Sequence, residues 1–285
     1  MIQRLSTGKQ SLDRYLVLGL LCLFALAWVT PLAIVTLSSM KTPREQSQSA
    51  ILALPENAAM ILDNIASASE LSGIGNGLVS SLIYASVGSL TAVIVASSAA
   101  YSIAMLKIRF PFFWFLIIYS GTVFPFQMYL MPLFQMYQTV GLYDTRAGML
   151  LFYSAIAVPF CIFVFRNYFI GMQGEVIEAA SLDGASSFQT WLRIVLPMAK
   201  APALFLFVTQ FSWIWNDFLF GQVLAKSDDV RPVMTSLAML SGTYGKGSIP
   251  QQMAGALTAS IPTLILIFAL QKHFMRGIVL NTAGE

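Results

Sequence analysis

Covalent chemistry needs a nucleophile with its base, or a set of metal ligands, and this chain brings few of either together. Its one histidine, His273, sits beside Lys272 just past the last apolar run, where it reads as an interfacial anchor. Cys22 and Cys161 both fall inside apolar runs, with no Cys-x-x-Cys and no Cys/His cluster, so neither a disulfide framework nor a metal site is indicated. No Gly-x-Ser-x-Gly elbow occurs. GTYGKGS at 242–248 fails the phosphate-loop spacing because Leu240 stands where the first glycine belongs, and GIGNG at 73–77 reads as a turn. The chemistry left is recognition. Asp217, in FSWIWNDFLFG, is an ionisable residue within an apolar run, which marks a functional site or a helix cap made with Asn216. Gln127, Tyr129, Gln135 and Tyr153 add polar or half-polar groups to the third and fourth apolar runs. Glu175, Glu178, Asp183 and Arg193 cluster in EVIEAASLDGASSFQTWLRIVLP, between long apolar stretches.

The elements that must position these groups are membrane helices. Of 285 residues, 57% are hydrophobic and 10% charged, against about 45–50% and about 25% in a soluble domain. Crossing the hydrocarbon core takes roughly 20 apolar residues. Six runs qualify: 15–37, 78–106, 112–137, 147–169, 201–224 and 254–271. None alternates as a barrel strand does, and backbone groups facing lipid must bond within their own segment, so the fold class is an all-α membrane protein. The first run continues to Leu37, too long for a signal-peptide core, and reads as an uncleaved span. Gly88, Ala92, Ala96, Ala100 and Ala104 recur every four residues in the second span, a small-residue ridge for close helix packing.

With the N-terminus in the cytoplasm, the inner segments carry 10 of the 16 Lys and Arg residues. The positive-inside rule favours that orientation. It gives a cytoplasmic N-terminus at 1–14, a transmembrane domain at 15–275 and a cytoplasmic tail at 276–285. The outside loop spans 38–77, and the polar segment at 171–200 faces the cytoplasm between spans four and five. The net charge of +3 then reflects orientation, and nucleic acid is not a partner. The location that follows is a membrane crossed several times, with both termini on its cytoplasmic side.

Val176, Ala179 and Ala180 share one face of a short helix with acids in its first turn, where the dipole favours them. Gly184 supplies a left-handed end. Ser186 and Gln189 form a capping box for a second helix, whose stripe is Phe188, Trp191, Leu192 and Val195 and which Pro197 stops. Geometry alone leaves this hairpin either lying on the lipid headgroups or on the ends of its own bundle, or docking a cytoplasmic partner.

Glu178-Ala179-Ala180, Gly184, Ile194 and Leu196-Pro197, at their spacing, resemble the EAA signature of the membrane subunits of bacterial ABC importers. AAYSIA at 99–104, FPFQMYLMPLF at 124–134, GLYDTRAG at 141–148, WND at 215–217 and FMRG at 274–277 look like the MalG-type, carbohydrate-permease branch. The ending NTAGE departs from that branch and weakens any expectation that the tail contacts an ATPase. The resemblance implies a non-enzymatic permease subunit with no cofactor of its own, ATP and Mg2+ being held by two ATPase partners. It also implies a second, homologous permease and an extracytoplasmic sugar-binding protein. Glu178, Ala179, Ala180, Asp183, Gly184, Ile194, Leu196 and Pro197 would form the ATPase-coupling hairpin: Glu178 would pair with a basic residue, the alanines would permit close approach and Gly184 would hold the bend. Gln127, Tyr129, Gln135, Tyr153, Asn216 and Asp217 would be the candidates for the substrate pathway. A polar non-sugar solute, such as a glycerophosphodiester or polyamine, is the alternative cargo. A self-sufficient secondary transporter is the alternative class, disfavoured because only Asp217 lies well inside a run and no inverted repeat is evident.

Overall fold

A computed structural model describes residues 3–172, 174–241, 245 and 247–282, with side chains for 14–172, 174–241, 245 and 247–269. The expectations that fall on Arg4, Lys9, His273 and the tail beyond Arg276 lie outside those side chains. All regular structure among the described residues is helical. The helices run α1 (Gln3–Ser39), α2 (Pro43–Gln48), α3 (Met60–Ser72), α4 (Ile74–Ile83), α5 (Ser89–Met105), α6 (Pro111–Ser120), α7 (Leu130–Thr139) and α8 (Arg146–Ile170). There follow α9 (Glu175–Leu182), α10 (Ser187–Thr190), α11 (Leu196–Met198), α12 (Lys200–Trp215), α13 (Leu219–Leu224), α14 (Val233–Ala238) and α15 (Ile249–Thr282).

Among the described residues, four helical stretches are long and apolar enough to cross a membrane: Arg14–Ser39, Ile74–Met105, Arg146–Ile170 and Ile249–Ala269. Two of the six expected spans are broken. The third divides into α6 and α7 around Gly121–Pro125 and a 3-10 turn, Phe126–Tyr129. Proline explains the break, because it has no amide to donate and disfavours helix in the residue before it. The fifth divides at Asn216–Phe218, between α12 and α13. Before it, Ser187–Met198 and Lys200–Trp215 meet at a bend of 78°. The 16 residues of α12 reach only about 24 Å at 1.5 Å per residue.

The chain forms two compact units. In the first, residues 1–72 with 239–258, the turn after α1 is fixed by polar side chains. Lys41 is fully buried, and its ammonium donates to Ser49 Oγ and the Ala50 carbonyl, each at 3.0 Å. Asn64 on α3 donates to the Ser39 and Lys41 carbonyls at 2.9 and 3.0 Å. Thr42 and Glu45 close a capping box on α2.

The second unit, 73–238 with 259–285, holds the main core. Here α4 and α5 join through a π turn, Tyr84–Gly88, into one span that packs on α8 and α12. The small-residue ridge does what its spacing predicts. Ala92, Ala96 and Ala100 are fully buried, and a Cβ at Gly88 would lie 3.3 Å from Ile214 and 3.4 Å from Tyr153. Gly77 is tighter still: an added Cβ would sit 2.7 Å from Ser236 Oγ and 3.0 Å from the Val233 Cα on α14. The second contact is backbone and cannot rotate away. Gly77→Ala is therefore expected to destabilise the permease by about 1–3 kcal/mol, seen as a lower melting temperature of the detergent-solubilised protein. An unchanged melting temperature would show that α14 yields freely.

Candidate functional site

The polar hairpin forms with the caps its sequence encodes. α9 carries Glu175 and Glu178 in its first turn and ends at Asp183. Gly184 takes the left-handed backbone, φ 78°, and Ala185 N donates back to the Ala180 carbonyl at 3.0 Å. Ser186 and Gln189 form the capping box of α10. The second helix continues through a π turn, Trp191–Val195, into α11 and ends at Met198, one residue beyond Pro197.

The apolar stripe of that second helix does not bury as one face. Trp191 and Val195, four residues apart, turn into the core, whereas Phe188 is 66% and Leu192 44% exposed. Leu182, at 89%, is more exposed than either. The alanine pair also divides: Ala180 is buried in the chain's own fold and Ala179 is open. Glu178, Asp183, Gly184 and Pro197 are exposed, and Ile194 and Leu196 are half-buried. The hairpin is thus anchored on one side. On the other it presents a carboxylate edge beside uncovered apolar side chains.

The second candidate site is a cavity of about 770 Å3 within the second unit. Three helical stripes face it. The 3-10 turn and α7 supply Tyr129, Pro132, Leu133 and Met136, at i, i+3, i+4 and i+7. α8 supplies Phe152, Ala155, Ile156, Pro159 and Phe160 at the same period, and α12 supplies Thr209, Gln210 and Trp213. Such stripes normally interlock to bury apolar surface.

Of the six pathway residues read from sequence, only Tyr129 lines the cavity. Tyr153 is fully buried, and its hydroxyl donates to Asp217 Oδ2 at 2.8 Å. The same carboxylate accepts the Gly221 amide at 3.1 Å and, more weakly, the Phe220 amide at 3.4 Å, so Asp217 caps α13. Asn216 donates to the Ser212 carbonyl at 2.7 Å. Gln127 and Gln135 are exposed and stand apart from the cavity. Gln210 and Trp213 were not picked out by sequence reasoning. The available signal was a lone amide in an apolar helix, three residues from an indole.

Beside the start of α8, Asp144 binds the loop after α13. Its carboxylate accepts the Lys226 and Ser227 amides at 2.7 and 2.9 Å, and the Ser227 hydroxyl also donates to it. Arg146 Nε, Ser80 and Tyr84 donate to the carbonyls of Asp229, Asp229 and Val230. Partial burial pushes the Asp144 carboxyl up, but the Ser227 and Lys226 hydrogen bonds outweigh it and hold the group below its usual range. A depressed folded-state pKa gives stability that is present above the unfolded value of about 4 and is lost as pH falls through the folded one. Asn tolerates the left-handed backbone of Asp144, φ 56°. Asp144→Asn is therefore expected to melt below wild type at pH 7, with the gap closing as the pH drops below about 4. A gap that does not depend on pH would show that the carboxylate charge is not what holds the loop.

Apolar helices long enough to cross a membrane, in a structure that is all-helical among the described residues, are those of an integral membrane protein. The chain belongs to the family of binding-protein-dependent transport system inner membrane components, which matches residues 95–279. It is 37% identical over 157 residues to a probable ABC transporter permease protein of Pyrococcus horikoshii, an alignment covering 55% of this chain and 57% of that one. It is 34% identical over 225 residues to the alpha-glucoside transport system permease protein of Rhizobium meliloti, covering 76% and 59%. The alignments thus span less than two thirds of those two relatives. A crystal structure of a bacterial ABC transporter involved in the import of the acidic polysaccharide alginate contains a chain of the same fold. It superposes with a TM-score of 0.79 at 22% identity, covering 92% of this chain and 96% of that one.

Proposed function

We propose that this chain is the membrane-spanning permease subunit of a binding-protein-dependent ABC importer that carries a carbohydrate inward by alternating access. The family match over 95–279 carries this reading. The alpha-glucoside relative supports a sugar cargo over a glycerophosphodiester or polyamine. The chain catalyses no covalent step. ATP and Mg2+ act on two partner ATPases, a second permease completes the pathway, and an extracytoplasmic binding protein delivers the sugar. The hairpin from Glu175 to Met198 is the coupling element. It is short and capped at both helices, and it is anchored through Trp191 and Val195, so a push on Glu178 and Leu182 moves the bundle instead of bending a loop. In the bilayer the chain crosses six times, with α6 and α7 as a broken third span and α12 with α13 as the fifth. Both termini, and the hairpin between the fourth and fifth spans, lie in the cytoplasm.

The test is uptake in proteoliposomes with maltose, sucrose, xylose, arabinose, glycerophosphocholine and putrescine. Sugar uptake is expected only with the partner permease, ATPases, binding protein and internal ATP all present. Uptake by this chain alone under an ion gradient would instead make it a secondary transporter.

A further inference from the structure

We propose that the cavity walled by Tyr129, Gln210 and Trp213 is a neutral-carbohydrate subsite within this subunit, an inference that rests on the importer reading above. Gln210 is only 6% exposed, yet its amide makes no hydrogen bond to any described residue. The Trp213 indole N–H and the Tyr129 hydroxyl, on the same cavity, likewise have no hydrogen-bond partner among the described residues. Buried polar groups in folded proteins are nearly always paired, and an orphan is costly. Gln210 is the buried group of the three, while Trp213 and Tyr129 are half-buried. An unpaired amide on the cavity wall, beside an indole and a phenol that are also unpaired, points to an occupant that supplies the missing partners.

The chemistry of the wall selects that occupant. Among the described residues that line it there is no Lys, Arg, Asp, Glu or His, so none of them would balance a phosphodiester or an ammonium, whose burial unpaired is prohibitive. An acyl chain or a helix of apolar side chains would fill the volume and still leave the amide, indole and phenol unmatched. A sugar does both jobs. Its C–H faces lie on aromatic rings, and Trp213 and Phe126 stand 5.8 Å apart at the wall. Its hydroxyls both donate to and accept from an amide. About 770 Å3 lies within the roughly 300–1,000 Å3 of small-molecule sites. Pro159, also on the wall, has no amide to give the Ala155 carbonyl, which leaves one more acceptor near the cavity. So few polar contacts make a weak site, as a pathway requires: a solute must be held well enough to enter and loosely enough to leave.

The test uses the assembled complex in proteoliposomes, comparing wild type with Gln210→Leu and Trp213→Leu over the same six solutes. Replacing an orphaned amide by an isosteric apolar side chain relieves the fold, so Gln210→Leu is expected to assemble normally with an equal or higher melting temperature. Its sugar uptake at subsaturating sugar is expected to fall roughly fivefold to tenfold, the worth of one buried hydrogen bond, and Trp213→Leu is expected to fall at least as far. Wild-type sugar uptake with both variants equal to wild type overturns the subsite and leaves the importer reading intact. So does failure of Gln210→Leu to copurify with the second permease, because the cavity would then be an assembly surface. If wild type imports only glycerophosphocholine or putrescine, the carbohydrate reading and the subsite fall together.

Discussion

Gly184→Asp and Glu178→Lys permeases are expected to reach the membrane at wild-type levels and to import nothing. The structure separates the two halves of that result. Gly184 holds φ 78°, and a Cβ placed on it meets no atom within 4 Å. A side chain there costs the subunit only the left-handed backbone penalty, about 1–2 kcal/mol, and clashes with nothing in its own fold. Glu178 is exposed and makes no ion pair with any described residue, so reversing its charge leaves the fold untouched. Intolerance at both positions therefore has to come from a surface outside the chain. Losing one partner of a docked, hydrogen-bonded charge pair costs about 2–5 kcal/mol, enough to empty the dock. Membrane abundance by immunoblot and uptake of labelled sugar in the same cells check both halves together. Normal uptake in both variants would remove the coupling role from the hairpin.

Asp217→Ala is expected to unfold the second unit more readily, by about 3 kcal/mol, because it strands the fully buried Tyr153 hydroxyl and the first amides of α13. Asp217→Asn keeps an acceptor and should cost about a third as much, and Tyr153→Phe about 1 kcal/mol. The effect should extend beyond stability. Phe220 on α13 packs on Phe152 with ring centroids 4.1 Å apart and stacks on Tyr129 at 6.3 Å. Both of those rings line the cavity. Asp217 is thus a positioning residue for the aromatic wall, acting through the α13 cap. Thermal denaturation of the three variants in detergent measures the first effect, and the double-mutant cycle between 153 and 217 isolates their coupling. A cycle with no coupling energy would show that the pair is incidental to the fold.

The hairpin was legible in the sequence because its determinants are local. Gly184, Ser186 and Gln189 act on neighbours within a few residues, and each does in three dimensions what its type dictates. The small-residue ridge was legible for the same reason. The breaks in the third and fifth apolar runs were hidden because hydropathy cannot tell a continuous helix from two that meet at Pro125 or at Asn216. Asp217 could be read from sequence as either cap or pathway. In the structure it caps α13 through the Phe220 and Gly221 amides, and the Tyr153 hydroxyl, 64 residues away in the chain, is the partner that sequence spacing could not show. The cavity was the least legible of all. Gln210 looks like one polar residue in an apolar run, and its isolation appears only when the α7 and α8 stripes close around it without offering it a partner.

The central claim is that Glu178 and Gly184 seat this permease on an ATPase, and affinity purification from native membranes with quantitative mass spectrometry tests it most directly. Wild type is predicted to bring down an ATP-binding cassette subunit and a second permease in fixed ratio, and the Glu178→Lys and Gly184→Asp chains to retain the permease and lose the ATPase. Equal recovery of the ATPase with all three chains, or purification of wild type with no ATPase, would contradict the account.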